Sequence, residues 1–304
     1  MNTEHIDALM HQLAQTLPGI PIEDLPRFAN SLAYPDAYML TPESMPHEGT
    51  PHGSIESRRF APGAIYPDVA HDYWVYVPQQ YDERQAARLI VFLDGARYLG
   101  PEVNAPALLD NLIHAGELPA TVAIFVNPGA NGPGLPIYGG SDNRSVEYDS
   151  LGDTYSRFLL EELLPEATRD LNISHAPDQR VICGISSGGI CAFNVAWERP
   201  DTFGKVICHC GSFVNIRGGH ALASQVRRVP RKSLQVSLQT GLHDLNIVFG
   251  DWLNANREMA AALAYRDYVH RLDVGESGHS IKQGAYLLPN TLRWLWPVES
   301  IPLI

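Results

Sequence analysis

From residue 72 onward, short strand-like runs, several of them rich in apolar residues, alternate with stretches of helical composition, and this alternation constrains the fold more than any other feature. The runs are "YWVYVP", "RLIVFLDG", "ATVAIFVNPG", "RVICGIS", "KVICHCGS", "LQVSLQTG" and "YVHRLDVG". A strand without polar alternation suits the interior of a parallel sheet covered on both faces. Between the runs lie "YSRFLLEELLPEATRDL", "GICAFNVAWERP", "DWLNANREMAAALAYR" and "YLLPNTLRWLW", which read as helices. Strands alternating with helices predict an α/β fold: a mostly parallel central sheet, right-handed crossovers and helices on both faces. Nearly every run ends in a glycine-containing loop, and ligands of such sheets bind at the carboxyl ends of the strands.

The first seventy residues read differently. Ile6, Leu9, Met10, Leu13 and Leu17 recur at helical spacing, with Asn2 or Thr3 as a candidate cap. That apolar stripe would pack on the body of the protein or, as a homo-oligomer contact, on a second subunit. Proline dominates from Pro18 to Pro67, which predicts an extended arm with few regular elements. The organisation expected is an N-terminal helix and proline-rich extension over 1–50, followed by an α/β domain over 51–304.

Composition excludes several classes. A formal net charge of −12 argues against nucleic acid, because phosphate backbones require clustered cations. The run Arg227-Arg228 to Arg231-Lys232 is the local exception, and it reads as a solvated loop face. No apolar run approaches the ~20 residues of a membrane helix. The N-terminus lacks the basic start and apolar stretch of a secretory signal, so the expected location is the cytoplasm. Cys183, Cys191, Cys208 and Cys210 fall in apolar segments and read as buried, reduced thiols in strand or helix. "CHC" at 208–210 offers two thiols and an imidazole, but no further ligands at metal spacing accompany it. No metal and no cofactor is expected.

Chemistry concentrates at Gly184-Ile185-Ser186-Ser187-Gly188. This G-x-S-x-G sequence closes an apolar strand and opens a helix, the context of a nucleophile elbow. Ser186 is the central serine, and the backbone N–H of Ser187 would face an oxyanion. A serine hydroxyl needs a base, and the base needs an orienting carboxylate, in the chain order Ser, acid, His. His279, in the glycine-rich loop "GESGHS", is the favoured base; His243 is the runner-up, and His270 lies within a strand. Asp244 follows the strand "LQVSLQTG", where an acid should stand. Asp251 is its rival, with an N-cap as its alternative duty. Asp273 lies too close to the base. A second oxyanion donor should come from Asp94-Gly95-Ala96 at the end of "IVFLDGARYL", through the amide of Ala96 or Gly95.

These segments together carry a resemblance. "LDGARYL", "NRSVEYDSLGDTYSRFLLEELLP", "RVICGISSGGICAFNVAWERPDTFGKV", "LQTGLHDLN" with "GDWLNANREMAAAL", and "GESGH" make the chain similar to an esterase family of α/β hydrolases. That family includes enterochelin esterase, feruloyl and acetylxylan esterases, esterase D and mycobacterial mycolyltransferases. The enterochelin-esterase-like branch shares the SSGG elbow, the helix that follows it and a "LRWLW"-type end. The resemblance runs from residue 50 to residue 298. It implies an α/β-hydrolase fold, Ser186 as nucleophile, His279 as base, Asp244 as acid, and Ser187 with Ala96 as oxyanion donors. It leaves the substrate open among siderophore lactones, acylated sugars and aromatic esters.

Near the expected mouth, Asn143, Arg144 and Glu147 offer substrate contacts or a loop-stabilising ion pair. Arg97 could meet an acidic substrate, and Trp252 could line a pocket for a ring. The expected activity is a serine carboxylic-ester hydrolase acting on a small-molecule ester. Acyl transfer through the same acyl-enzyme, and a non-catalytic binding module that keeps the fold, are the competing readings.

Overall fold

Ten strands organise the protein, here described from a computed structural model over residues 3–16, 20–130 and 143–298; Asn2 and Leu17 lie outside these residues. They are β1 (Ser54–Phe60), β2 (His71–Val77), β3 (Arg88–Leu93), β4 (Thr121–Val126), β5 (Arg180–Ile185), β6 (Lys205–His209), β7 (Gln235–Gly241), β8 (Asn246–Ile247), β9 (Gly250–Asp251) and β10 (Val269–Gly275). Eight form one sheet in the order β1-β2-β4-β3-β5-β6-β7-β10, while β8 and β9 make a separate ribbon. β2 runs antiparallel to both β1 and β4, and every other pairing in the large sheet is parallel.

The apolar runs are strands because both of their faces are covered. Along β3, Leu89, Val91 and Leu93 point into one core, while Ile90 and Phe92 point into the other. Helix Ser187–Glu198 covers the first face through Ile190, Phe193 and Val195. Helices Ala105–His114 and Lys282–Leu295 cover the second face, the latter through Ala285, Leu288, Leu292 and Leu295 at helical spacing. Each fully buried side chain of this kind contributes roughly 1.5–3 kcal/mol. The expected α/β-hydrolase architecture is thus present. Strand β1 was not legible, because it is an edge strand whose residues are mostly exposed, with Glu56, Arg58 and Arg59 charged.

The N-terminal region departs from an extended arm. Helix Leu25–Leu32 forms inside it, because Pro26 falls in the first turn, where a missing N–H and a fixed φ do no harm. The stripe of helix Thr3–Thr16 packs on the body of the same chain. Leu13 joins Leu25, Phe28 and Ala29 against Val214, Leu245 and Trp252, with Ile6, Leu9 and Met10 around them.

The four cysteines are buried and unbridged. Cys210 corrects the sequence reading: it sits just beyond β6 with φ 47°, where the chain bends away from the sheet toward Ser212. His209, its neighbour, is fully buried against the Tyr98 hydroxyl, 3.0 Å from Nδ1. Burial pushes the His209 imidazole down to about 3 from an ordinary 6.5. The unfolded chain therefore binds this proton from about pH 6.5 downward, and the folded chain does not until about pH 3. Stability is present above pH 6.5 and is lost as pH falls, by roughly 3 kcal/mol at pH 4. Urea denaturation across pH 4–8 should show that acid limb, and a His209→Gln variant should flatten it.

Candidate active site

β5 ends at Ile185 and helix Ser187–Glu198 starts two residues later, so the chain reverses at Ser186. Ser186 has φ 57° and ψ −120°, a conformation that costs an L-residue of order 1–3 kcal/mol. The flanking glycines make the turn sterically feasible. A Cβ on Gly184 would lie 2.2 Å from the Gly188 carbonyl oxygen, and one on Gly188 would lie 2.6 Å from Asp94 Oδ2. The reversal presents the Ser186 hydroxyl at the carboxyl end of the sheet.

Asp94 and Arg144 hold this turn from the β3 side. Arg144 donates from Nε to Asp94 Oδ1 and from Nη2 to Oδ2, both at 2.7 Å, and from Nη2 to the Ile185 carbonyl at 3.0 Å. The bidentate pair is almost wholly buried. It ties the loop after β3 to the end of β5 and aligns the two segments that frame the serine.

The Ser186 hydroxyl lies 2.8 Å from His279 Nε2, and His279 Nδ1 lies 2.6 Å from Asp244 Oδ1. Asp244 also accepts from Thr240 Oγ1 at 2.7 Å and from the Leu245 amide at 2.8 Å. These bonds occupy its oxygens and fix the carboxylate beside the imidazole. Asp251 takes its alternative duty: it caps helix Trp252–Tyr265, accepting from the Asn254 amide at 2.9 Å. His243 lies elsewhere, stacked on Tyr34 with its Nε2 3.2 Å from Glu276. His270 is on β10 beside the Tyr268 carbonyl.

A further hydroxyl stands on the other side of the serine. Ser212 Oγ is 3.2 Å from Ser186 Oγ and accepts from the Trp252 indole at 3.1 Å. Because an indole only donates, the Ser212 proton is free to point at Ser186, which directs the Ser186 proton toward His279. Trp252 is 2% exposed and meets the His279 ring edge-on at 5.8 Å. Its place is behind the imidazole, excluding water from it.

Of the two amides expected to face an oxyanion, that of Ser187 has no acceptor among the described residues. The Ala96 amide donates to Asn127 Oδ1 at 2.9 Å. The Asn127 carboxamide oxygen is thus the acceptor on that amide.

The residues expected near the mouth make the following contacts. Glu147 is buried and accepts from His71 Nε2, the Gly129 amide and Asn143 Nδ2. Arg144 is spent on Asp94, and Arg97 lies 3.7 Å from Glu102. Asp149, close by, is also buried, and burial pushes its carboxyl up to about 6 despite the nearby Arg144. Cys210 brings a thiol within 4.8 Å of the Asp244 and His279 ligand atoms. Burial raises that thiol well above its usual range, and the carboxylate and imidazole already bind each other, so the trio is poorly suited to a metal.

Asn127, Ser212 and Ser31 were missed in the sequence. Asn127 and Ser212 share one signal, since each follows a strand at its carboxyl end. Ser31, which hydrogen-bonds the His279 amide, carries none.

Comparison with known proteins places the chain in a family. The family model described as Putative esterase matches residues 71–295. The iron(III) enterobactin esterase of Dickeya dadantii (strain 3937) is 31% identical over 140 residues, covering 46% of this chain and 29% of that protein. The enterobactin esterase from Shigella flexneri, solved in the presence of enterobactin, superposes with a TM-score of 0.68 at 19% identity. That match covers 84% of this chain and 62% of the Shigella chain, so the chain spans less than two thirds of either relative. A ferulic acid esterase from the anaerobic fungus Anaeromyces mucronatus superposes with a TM-score of 0.65 at 14% identity, covering 84% of this chain and 95% of that one. At these identities the structural likenesses speak to the fold.

Proposed function

The chain belongs to this esterase family, and from that premise we propose that it is a serine carboxylic-ester hydrolase in which Ser186, His279 and Asp244 act as nucleophile, base and acid. The observation that carries the reading is the unbroken line of hydrogen bonds from the Ser186 hydroxyl through His279 to Asp244, at 2.8 and 2.6 Å. His279 takes the serine proton as Oγ attacks the ester carbonyl, and returns it to the departing alcohol. Asp244 holds the Nδ1–H tautomer and stabilises the imidazolium. The tetrahedral oxyanion rests on the Ser187 amide, and on the Ala96 amide once Asn127 Oδ1 has yielded its place. Water then clears the acyl-enzyme through the same base.

The substrate class we propose is an aromatic-acyl, acylated-sugar or siderophore-lactone-like ester. A cavity of about 670 Å³ is lined by Met39, Leu40, Pro42 and Met45 together with Tyr38, His47, Glu102 and Lys282. Glu102 follows the segment that carries Ala96, and Lys282 follows His279 by three residues. Apolar walls with a few charged groups suit an organic ester of moderate size. A fluorophosphonate probe should label the protein at Ser186, located by peptide mapping. A panel of p-nitrophenyl acetate, feruloyl sugars, acetylated sugars and siderophore lactones should then rank the esters. Absence of both labelling and turnover across the panel would overturn the reading.

A further inference from the structure

We infer that Ser31, in the N-terminal region outside the family match, is a positioning residue that locks the base-bearing loop onto the acid-bearing loop. This deepens the proposed function and rests on it.

Ser31 lies in the last turn of helix Leu25–Leu32 and bridges the two loops. Its Oγ accepts from the His279 amide at 3.0 Å and donates to the His243 carbonyl at 2.7 Å. His279 carries the imidazole, and His243 immediately precedes Asp244. One hydroxyl therefore fixes the backbone of the base and the backbone beside the acid in a single span. The Ser31 carbonyl, which accepts from the Tyr34 amide at 3.3 Å in the turn that closes its helix, also accepts from the His279 amide, at 3.2 Å.

The base loop is shaped to receive this contact. A Cβ on Gly278 would lie 1.9 Å from the Ser31 carbonyl oxygen and 2.7 Å from Tyr34 Cβ, so only glycine lets the helix end come this close. Neighbouring contacts hold the same segment. Tyr34 stacks on His243 at 4.2 Å, and Ser280 Oγ donates to Asp36 at 3.0 Å. On the far side, Asp24 accepts from the Val248 amide at 2.6 Å. The two loops also meet directly, through the His243 amide and the Ser277 carbonyl at 3.0 Å. That bond precedes Gly278, so it leaves the imidazole-bearing residue to be fixed by Ser31.

Removing the hydroxyl should let the imidazole drift relative to Asp244 and Ser186, and a misplacement of about 1 Å costs on the order of 10²-fold in rate. The full-length Ser31→Ala variant, assayed with p-nitrophenyl acetate, should lose 10- to 100-fold in kcat with little change in KM. Ser31→Thr, which keeps the hydroxyl, should restore most of it. Proton NMR provides a readout independent of turnover. The strongly deshielded Nδ1 proton between His279 and Asp244 should be sharp in the parent and in Ser31→Thr, and broadened or absent in Ser31→Ala. An unchanged resonance in Ser31→Ala overturns the inference, as does an equal loss of kcat in both variants. A parent protein that turns over no ester would instead overturn the hydrolase reading, and the NMR comparison would still decide the role of Ser31.

Discussion

Replacing Ser186 with alanine should abolish ester hydrolysis, lowering kcat/KM for p-nitrophenyl acetate by about 10⁴- to 10⁶-fold. The expected residue of activity is the part due to substrate binding and oxyanion stabilisation, which does not need the nucleophile. The fold should survive. Alanine meets the same backbone strain at φ 57° as serine, and among the described residues the hydroxyl makes two hydrogen bonds, with His279 and Ser212. Loss of such hydrogen bonds costs about 1 kcal/mol each, so circular dichroism and the thermal midpoint should change little. A variant that kept more than a tenth of the parent rate would remove Ser186 from the nucleophile role. The neighbouring serine would not replace it, since Ser187 opens the helix and the hydroxyl on His279 Nε2 is that of Ser186.

The two candidate acids should separate with comparable clarity. Asp244→Ala should lower kcat by about 10³- to 10⁴-fold, because it leaves the His279 imidazole free to adopt the wrong tautomer and unsupported when protonated. Asp251→Ala should leave kcat within about twofold and instead cost about 1 kcal/mol of stability, the value of a lost N-cap. Steady-state kinetics of the two variants beside their urea midpoints would check both halves. Interchanged results, with the large rate loss at Asp251, would move the acid to that position.

Much of this was legible before the fold was known, and the reason is locality. Seven of the eight strands of the large sheet, most of them apolar, are runs legible from their own residues. The turn at Ser186 needs small residues on both sides, and Gly184 and Gly188 announce it within five positions. Chain order then nominated His279 and Asp244 without any distance. The edge strand β1 escaped because its residues face solvent, and helix Leu25–Leu32 escaped because its proline looked like a breaker when it was a first-turn residue.

What could not be read was anything that depends on which strands become neighbours. Asn127 reaches Ala96 only because β4 lies beside β3, and Ser212 reaches Ser186 only because β6 lies beside β5. The spatial neighbours of Arg144 and Glu147 diverge in the same way: a buried guanidinium pairs with Asp94, fifty positions away, while Glu147 takes His71 and Gly129.

The sequence by itself therefore determined seven strands of the large sheet, the turn that exposes Ser186 and the chain order of the candidate groups, since each is written in short-range pattern. Only the tertiary structure decided that Asp244 lies on the imidazole while Asp251 caps a helix. It alone brought a hydroxyl from an N-terminal helix onto the loop of His279, 248 residues away, because burial and strand adjacency are properties of the packed chain.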